Sequence, residues 1–175
     1  MQKKSRKLFL AALLKIIFIS IAALTFIPKF RYGRYLGLQY RLKLLLKKQK
    51  LEKAKVLANE LINTAKNYKD DWNYGNAIHQ GHLTLGKIAF AHGDFKKAEE
   101  ELLASVEING SPSISSFGPN MSLARDFLIK ERPDIVLKYL KNCRRCWKYG
   151  SENLDYWSHQ IRNGQTPDFG GNLNY

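Results

Sequence analysis

The pattern of apolar and polar positions divides the chain into one unbroken apolar run followed by a series of helical periods. Leu8 to Ile27 reads LFLAALLKIIFISIAALTFI, with Lys15 its only charge. As a helix at about 1.5 Å per residue it spans about 30 Å, the thickness of a bilayer core. Pro28 ends the run. From Arg34 to Ala65 apolar residues such as Leu42, Leu46, Ala54, Leu57, Ala58, Leu61 and Ile62 recur at spacings of three and four, which predicts one or two long amphipathic helices.

After a polar break from Lys66 to Asn73, the period predicts a helix over Tyr74 to Ala91, closed by His92-Gly93. Asp94 is placed to cap a helix from Phe95 to Ile108, which stops at Asn109-Gly110-Ser111-Pro112. The stretch SPSISSFGPN reads as a loop. Asn120 then caps a helix from Met121 to Lys130, Pro133 opens another to Trp147, and Ser151 to Asn163 is the last, with Gly164 ending it before a polar tail. No segment alternates as a strand does, so the expected class is all-α.

Helix pairs joined by short turns invite a search for repeats. Leu85-Gly86, Gly93-Asp94-Phe95, Ala98 and Leu102 succeed one another at the spacing of the tetratricopeptide repeat, and this stretch resembles that family. Gly86 and Ala98 are small where two antiparallel helices approach, Gly93 suits a left-handed turn, and Phe95 and Leu102 point into the pair. The copy is diverged: His82 stands where the family has Trp, Ala89 where it has Tyr, Leu102 where it has Phe, and the proline is delayed to Pro112. Leu51, Ala54 and Ala58 form a weaker copy 44 residues before, and Pro133, Val136 and Leu140 another 38 after, against a family period of about 34. The expected architecture is an N-terminal transmembrane helix leading into a tetratricopeptide-like array of two to three irregular helical hairpins. Its segments are an anchor with basic flanks over 1–33, a basic amphipathic stretch over 34–69, and the helical domain with capping helix and tail over 70–175.

A second echo is the form F-G-x-N-(M/L), at Phe117 to Met121 and again at Phe169 to Leu173. In both copies Phe is expected to pack down, Gly to turn the chain and Asn to cap the next turn. A shared ligand loop is the other reading. These copies, with the PDFGGNL near the C-terminus, resemble a set of tetratricopeptide-like bacterial proteins, which implies a place in a bacterial cell-envelope complex.

Charge changes the picture of the first third. The chain carries a net +14, but residues 1–55 hold 15 Lys and Arg against Glu52 alone, and residues 56–175 hold 14 of each sign. A nucleic-acid-binding body normally carries its own basic patch, so no nucleic acid is expected as a partner, although residues 31–55 are where one would bind. The apolar run between basic flanks is read as a retained anchor. A cleaved signal peptide is disfavoured by the absence of an A-x-A site and by the basic residues after the run, and a helix buried in a soluble fold is the remaining alternative. Seven basic residues after the run against four before it favour a cytoplasmic body at the bacterial inner membrane. Residues 31–55 then either lie against anionic lipid headgroups or form a solvated helix face.

Candidate chemistry is sparse. Cys143-Arg-Arg-Cys146 is a C-x-x-C whose arginines would favour thiolates, but it lacks the strand-to-helix setting of a redox motif, and Cys143 aligns with Ser105 on the packing face of the repeat. Packing cysteines are the expectation, with thiol or metal chemistry as the alternative. A site pairing them with His79 and His82 has no zinc-finger spacing. The resemblance implies that the helix from Tyr74 lines a concave surface, so Tyr74, Asn76, His79 and Gln80 are the expected contacts for a protein or peptide partner. Leu85, Gly86, Phe95, Ala98 and Leu102 are the expected repeat-packing residues. No phosphate loop, nucleophile elbow or H-E-x-x-H motif occurs. The expectation is a non-catalytic scaffold without catalytic residues, metal or cofactor, with self-association as a way to cover open repeat ends.

Overall fold

A computed structural model describes residues 28–174 of the chain. The apolar run Leu8–Ile27 lies outside the described residues, and among those described no helix is long and apolar enough to cross a membrane. The described residues form eight α-helices, with two short 3₁₀ turns at Lys66–Tyr68 and Gly170–Leu173 and no strand, so the all-α expectation holds. The helices are α1 (Pro28–Lys47), α2 (Leu51–Ala65), α3 (Tyr74–Ala91), α4 (Phe95–Ala104), α5 (Pro112–Phe117), α6 (Ser122–Ile129), α7 (Pro133–Cys143) and α8 (Ser151–Arg162). The described residues divide into two units between Tyr40 and Arg41. In the first, Tyr35 and Leu38 are buried, and the rings of Tyr32 and Tyr35 lie 6.1 Å apart. The second holds all the helices from α2 to α8.

The organising element of this second unit is α3. None of the residues from Tyr74 to Phe90 is fully exposed, because α2 packs on one side of the helix, α4 on another, and α5 and α6 also touch it. A helix enclosed in this way can hold no continuous polar face, and it needs small residues wherever a neighbour comes close. A Cβ at Gly81 would lie 2.5 Å from Ile62 Cγ1 of α2. At Gly86 it would lie 2.6 Å from Leu123 of α6 and 3.2 Å from the Cβ of Glu101 on α4. The close approach expected at Gly86 is therefore present, and Gly81 supplies a second one, against α2.

The α3–α4 hairpin arises from local chemistry. Gly93 takes φ +78, and the Asp94 carboxylate accepts the Lys97 N–H at 3.1 Å as the cap of α4. Ala98 and Leu102 are fully buried, Leu85 and Phe95 half-buried, and the Phe95 ring meets Phe90 edge-on at 5.2 Å. A second hairpin, α6–α7, packs α7 against α4, and α8 covers α7.

The apolar period over 34–65 resolves into two helices, one of the two expected forms, with Gln49 at φ +53 in the break between them. Three boundaries differ from the sequence expectation. The helix from Phe95 stops at Ala104 because the Ser105 hydroxyl turns back onto the Leu102 carbonyl at 2.7 Å and the Ser105 carbonyl is taken by a side chain of α3. SPSISSFGPN is not all loop. Ser111 caps α5 by accepting the Ile114 N–H at 3.3 Å, and Pro112 occupies its first turn. The helix from Pro133 ends at Cys143, where the Trp147 N–H bonds back to the Cys143 carbonyl at 2.8 Å. The polar tail is also packed, with Phe169 1% exposed and its ring edge-on to Trp157 at 5.0 Å.

Candidate functional site

The four residues expected to meet a partner all lie along the enclosed helix α3. Tyr74, Asn76 and Gln80 are half-buried. The Asn76 amide donates to Asn73 Oδ1 at 3.2 Å, and its oxygen accepts the Ser111 hydroxyl at 2.6 Å. The Gln80 carbonyl accepts from the Thr84 hydroxyl at 2.8 Å.

His79 is 6% exposed and uses both ring nitrogens inside the protein. Nδ1 donates to the Ser105 carbonyl at 3.0 Å, and Nε2 accepts the Asn120 N–H at 3.0 Å. A carbonyl can only accept and an amide N–H can only donate, so the two partners fix the neutral tautomer with the proton on Nδ1. Burial, with the charges of His82 and Lys87 nearby, lowers its pKa to about 4 against the pull of the Ser105 carbonyl. The side chain offers no atom to a partner and no basic nitrogen to a reaction.

His79 instead opens a buried polar junction. The Asn120 carbonyl accepts from the Tyr139 hydroxyl at 3.1 Å, and Asn120 Oδ1 accepts the Ser122 N–H at 2.9 Å and also the Ser122 hydroxyl. One backbone unit, Asn120, is thus held by α3 at its nitrogen side and by α7 at its carbonyl. The junction fastens the segment before α6 to α3 and to α7.

Cys143 and Cys146 are free and buried. Burial pushes the Cys143 thiol well above the usual range and Cys146 up to about 11, which opposes the thiolate that redox or ligand chemistry needs. Cys143 and Ser105 are both fully buried, in keeping with their alignment on a packing face. Among the described residues no three His, Cys, Asp or Glu side chains are grouped to hold a metal ion. His82 stays half-buried on α3, and its Nδ1 lies 2.7 Å from Glu101 Oε2. Burial opposes ionisation of Glu101, but hydrogen bonds from His82 and Lys97 hold its carboxyl below the usual range.

The sequence displays the two F-G-x-N copies but not that they bind each other. The Asn172 amide donates to the Phe117 carbonyl at 2.9 Å and to the Pro119 carbonyl at 3.0 Å. Both first glycines are left-handed, Gly118 at φ +86 and Gly170 at φ +52, as the turn role requires. The rest of the expectation holds in part: Phe169 packs down whereas Phe117 is 71% exposed, and Asn120 bonds forward to Ser122 from the position before the N-cap Met121 whereas Asn172 reaches back to the other copy. Comparison with known proteins found no matching family model, no matching curated protein and no matching solved structure.

Proposed function

We propose that the chain is a membrane-anchored scaffold of tetratricopeptide-like helical hairpins that binds a protein or peptide partner and carries out no reaction itself. The observation that carries this reading is a shared packing register in α2, in α4 with its C-cap Ser105, and in α7. Ala54, Ala98 and Val136 occupy one buried position, Ala58, Leu102 and Leu140 the next, and Leu61, Ser105 and Cys143 the third, all fully buried. Stacked hairpins with a common register form a rigid array whose outer faces are free for recognition. Anchoring by residues 8–27 raises the local concentration of whatever the array binds at the membrane. Every Lys and Arg between Arg31 and Lys55 is exposed, which suits either a lipid surface or solvent.

Because α3 is enclosed, the partner meets other helices first. A photo-crosslinking residue placed in the full chain at Lys53, Glu100, Lys141 or Tyr156 samples an exposed site on each of four helices. Adducts of one defined mass from one or two neighbouring positions are the expected result, with the chain in the membrane fraction. The absence of adducts from every position would sink the scaffold, and release of the intact chain from membranes would sink the anchor.

A further inference from the structure

The even charge count of the body conceals a separation along the chain. Asp94 to Glu107 contains five acids and two lysines, whereas Lys130 to Lys148 contains seven basic residues and two acids. The second stretch includes α7, which meets α8 at an open groove of about 310 Å³. Lys138, Lys141 and Arg144 line it from the α7 side and Arg162 from α8, with Leu137 as an apolar patch between them. All four cations are exposed. The groove's one carboxylate, Asp155, is paired with Arg144. Lys138, Lys141 and Arg162 have no carboxylate within ion-pair distance among the described residues. The remaining polar side chain, Ser158, spends its hydroxyl on the Leu154 carbonyl at 2.6 Å.

Cations gathered around a concavity repel one another, and an anion entering it relieves that repulsion. Their spacing selects the form of the anion. Lys138 and Lys141, both on α7, stand about 4.5 Å apart along the helical rise, the same interval that separates carboxylates three residues apart on another helix. A bilayer presents a flat plane of headgroups, whereas these cations line a hollow with Asp155 in its wall. We propose that the α7–α8 groove binds an acidic helical segment of a protein partner, with its carboxylates one helical turn apart seated against Lys138, Lys141 and Arg162. The proposal rests on the scaffold reading and supplies its partner class.

The test uses the full chain in neutral detergent micelles and a fluorescein-labelled peptide of Glu, Ala and Gln whose glutamates recur at spacings of three and four. Binding is monitored by fluorescence anisotropy at about 0.1 M salt, where the screening length is about 10 Å. Reversing the groove with K138E, K141E and R162E is expected to raise Kd about tenfold or more. Reversing three other exposed lysines with K50E, K53E and K55E is expected to change it less than about twofold, since none of them lines the groove. Equal weakening by the two sets would reduce the effect to net charge and overturn the groove. So would an oligothymidylate of equal charge that binds through the same three residues more tightly than the peptide. Failure of the peptide with cross-links still formed elsewhere on the body would remove the groove and leave the scaffold. Failure of both would remove the scaffold first.

Discussion

Met121 donates its backbone N–H to the carbonyl of Asn172 at 2.7 Å, closing a loop between the start of α6 and the end of the chain. The same Asn172 returns two side-chain bonds to the Phe117 and Pro119 carbonyls. Two stretches with the same F-G-x-N form therefore clasp one another, and Asn120 of the inner copy is itself held by His79 and Tyr139. The tail is the outermost layer of a chain of bonds that begins on the central helix.

Replacing Asn172 by Ala removes both side-chain donors and is expected to cost about 1–2 kcal/mol. Asn172→Asp keeps the shape but presents oxygen to two carbonyl oxygens, so at neutral pH it costs at least as much. Urea unfolding of the full chain in micelles, monitored by tryptophan emission, reads both, since Phe169 lies against Trp157. An Asp variant as stable as the parent would show that the amide does not make these bonds.

At Gly118 backbone strain and crowding act together, whereas at Gly93 strain acts alone. Both have positive φ, +86 and +78, so an Ala at either is strained, by about 1 kcal/mol at Gly93 and by about 1–3 kcal/mol at Gly118, whose ψ of 170 lies where essentially only glycine goes. Nothing lies within 4 Å of a Cβ at Gly93, whereas at Gly118 it would meet the Trp147 indole at 2.6 Å and the Asn172 amide at 2.8 Å. Gly118→Ala is therefore expected to be more destabilising than Gly93→Ala by about 1–3 kcal/mol. Equal losses in parallel denaturation curves would mean that the clasp is looser than described.

The parts legible in the sequence are those fixed by neighbours along the chain. The limits of α3, the Gly93 turn and the Asp94 cap depend on a few adjacent residues, and they appear where the pattern places them. Ser111-Pro112 carries the signal for α5, a cap and then a first-turn proline, but it sits among turn formers that suggest a loop. The burial of His79 is not legible. It arises because Ser105 and Asn120, on two other segments, both direct backbone groups at it, and no periodicity within α3 encodes that. The tail's docking is hidden for the same reason: the echo between Phe117 and Phe169 is a local pattern, and the bonds between the copies are not.

Acid should weaken the fold through His79. Its folded pKa of about 4 lies below the ordinary 6.5, so between those values the unfolded chain binds a proton that the folded one refuses. Stability from this group is complete above about pH 6.5 and is lost as pH falls towards 4, to a limit of roughly 3 kcal/mol. Glu101, whose folded pKa lies below the ordinary 4.5, contributes stability that is lost only at lower pH. The interval from about pH 6.5 to 5 is thus the window for His79. Urea midpoints should fall across it in the parent and stay level in His79→Gln, which is less stable throughout because Gln cannot reproduce both bonds. A level profile in the parent would remove the neutral, doubly bonded histidine.

The cysteines give the sharpest contrast between packing and chemistry. Both thiols are buried, and burial raises both, Cys146 to about 11. Thiolate is the reactive form, so labelling by a thiol reagent at neutral pH requires the α7 end to open and then an unfavourable deprotonation. Labelling of the folded chain is expected to be at least about a hundredfold slower than in denaturing urea, where the thiols recover ordinary acidity and access. Cys143→Ala should cost about 1–2 kcal/mol as a cavity beside Tyr139, and Cys143→Ser a similar amount from a buried hydroxyl. Fast labelling of the folded chain with no loss of stability in Cys143→Ser would move the pair from the packing face to the surface and reopen the thiol alternative.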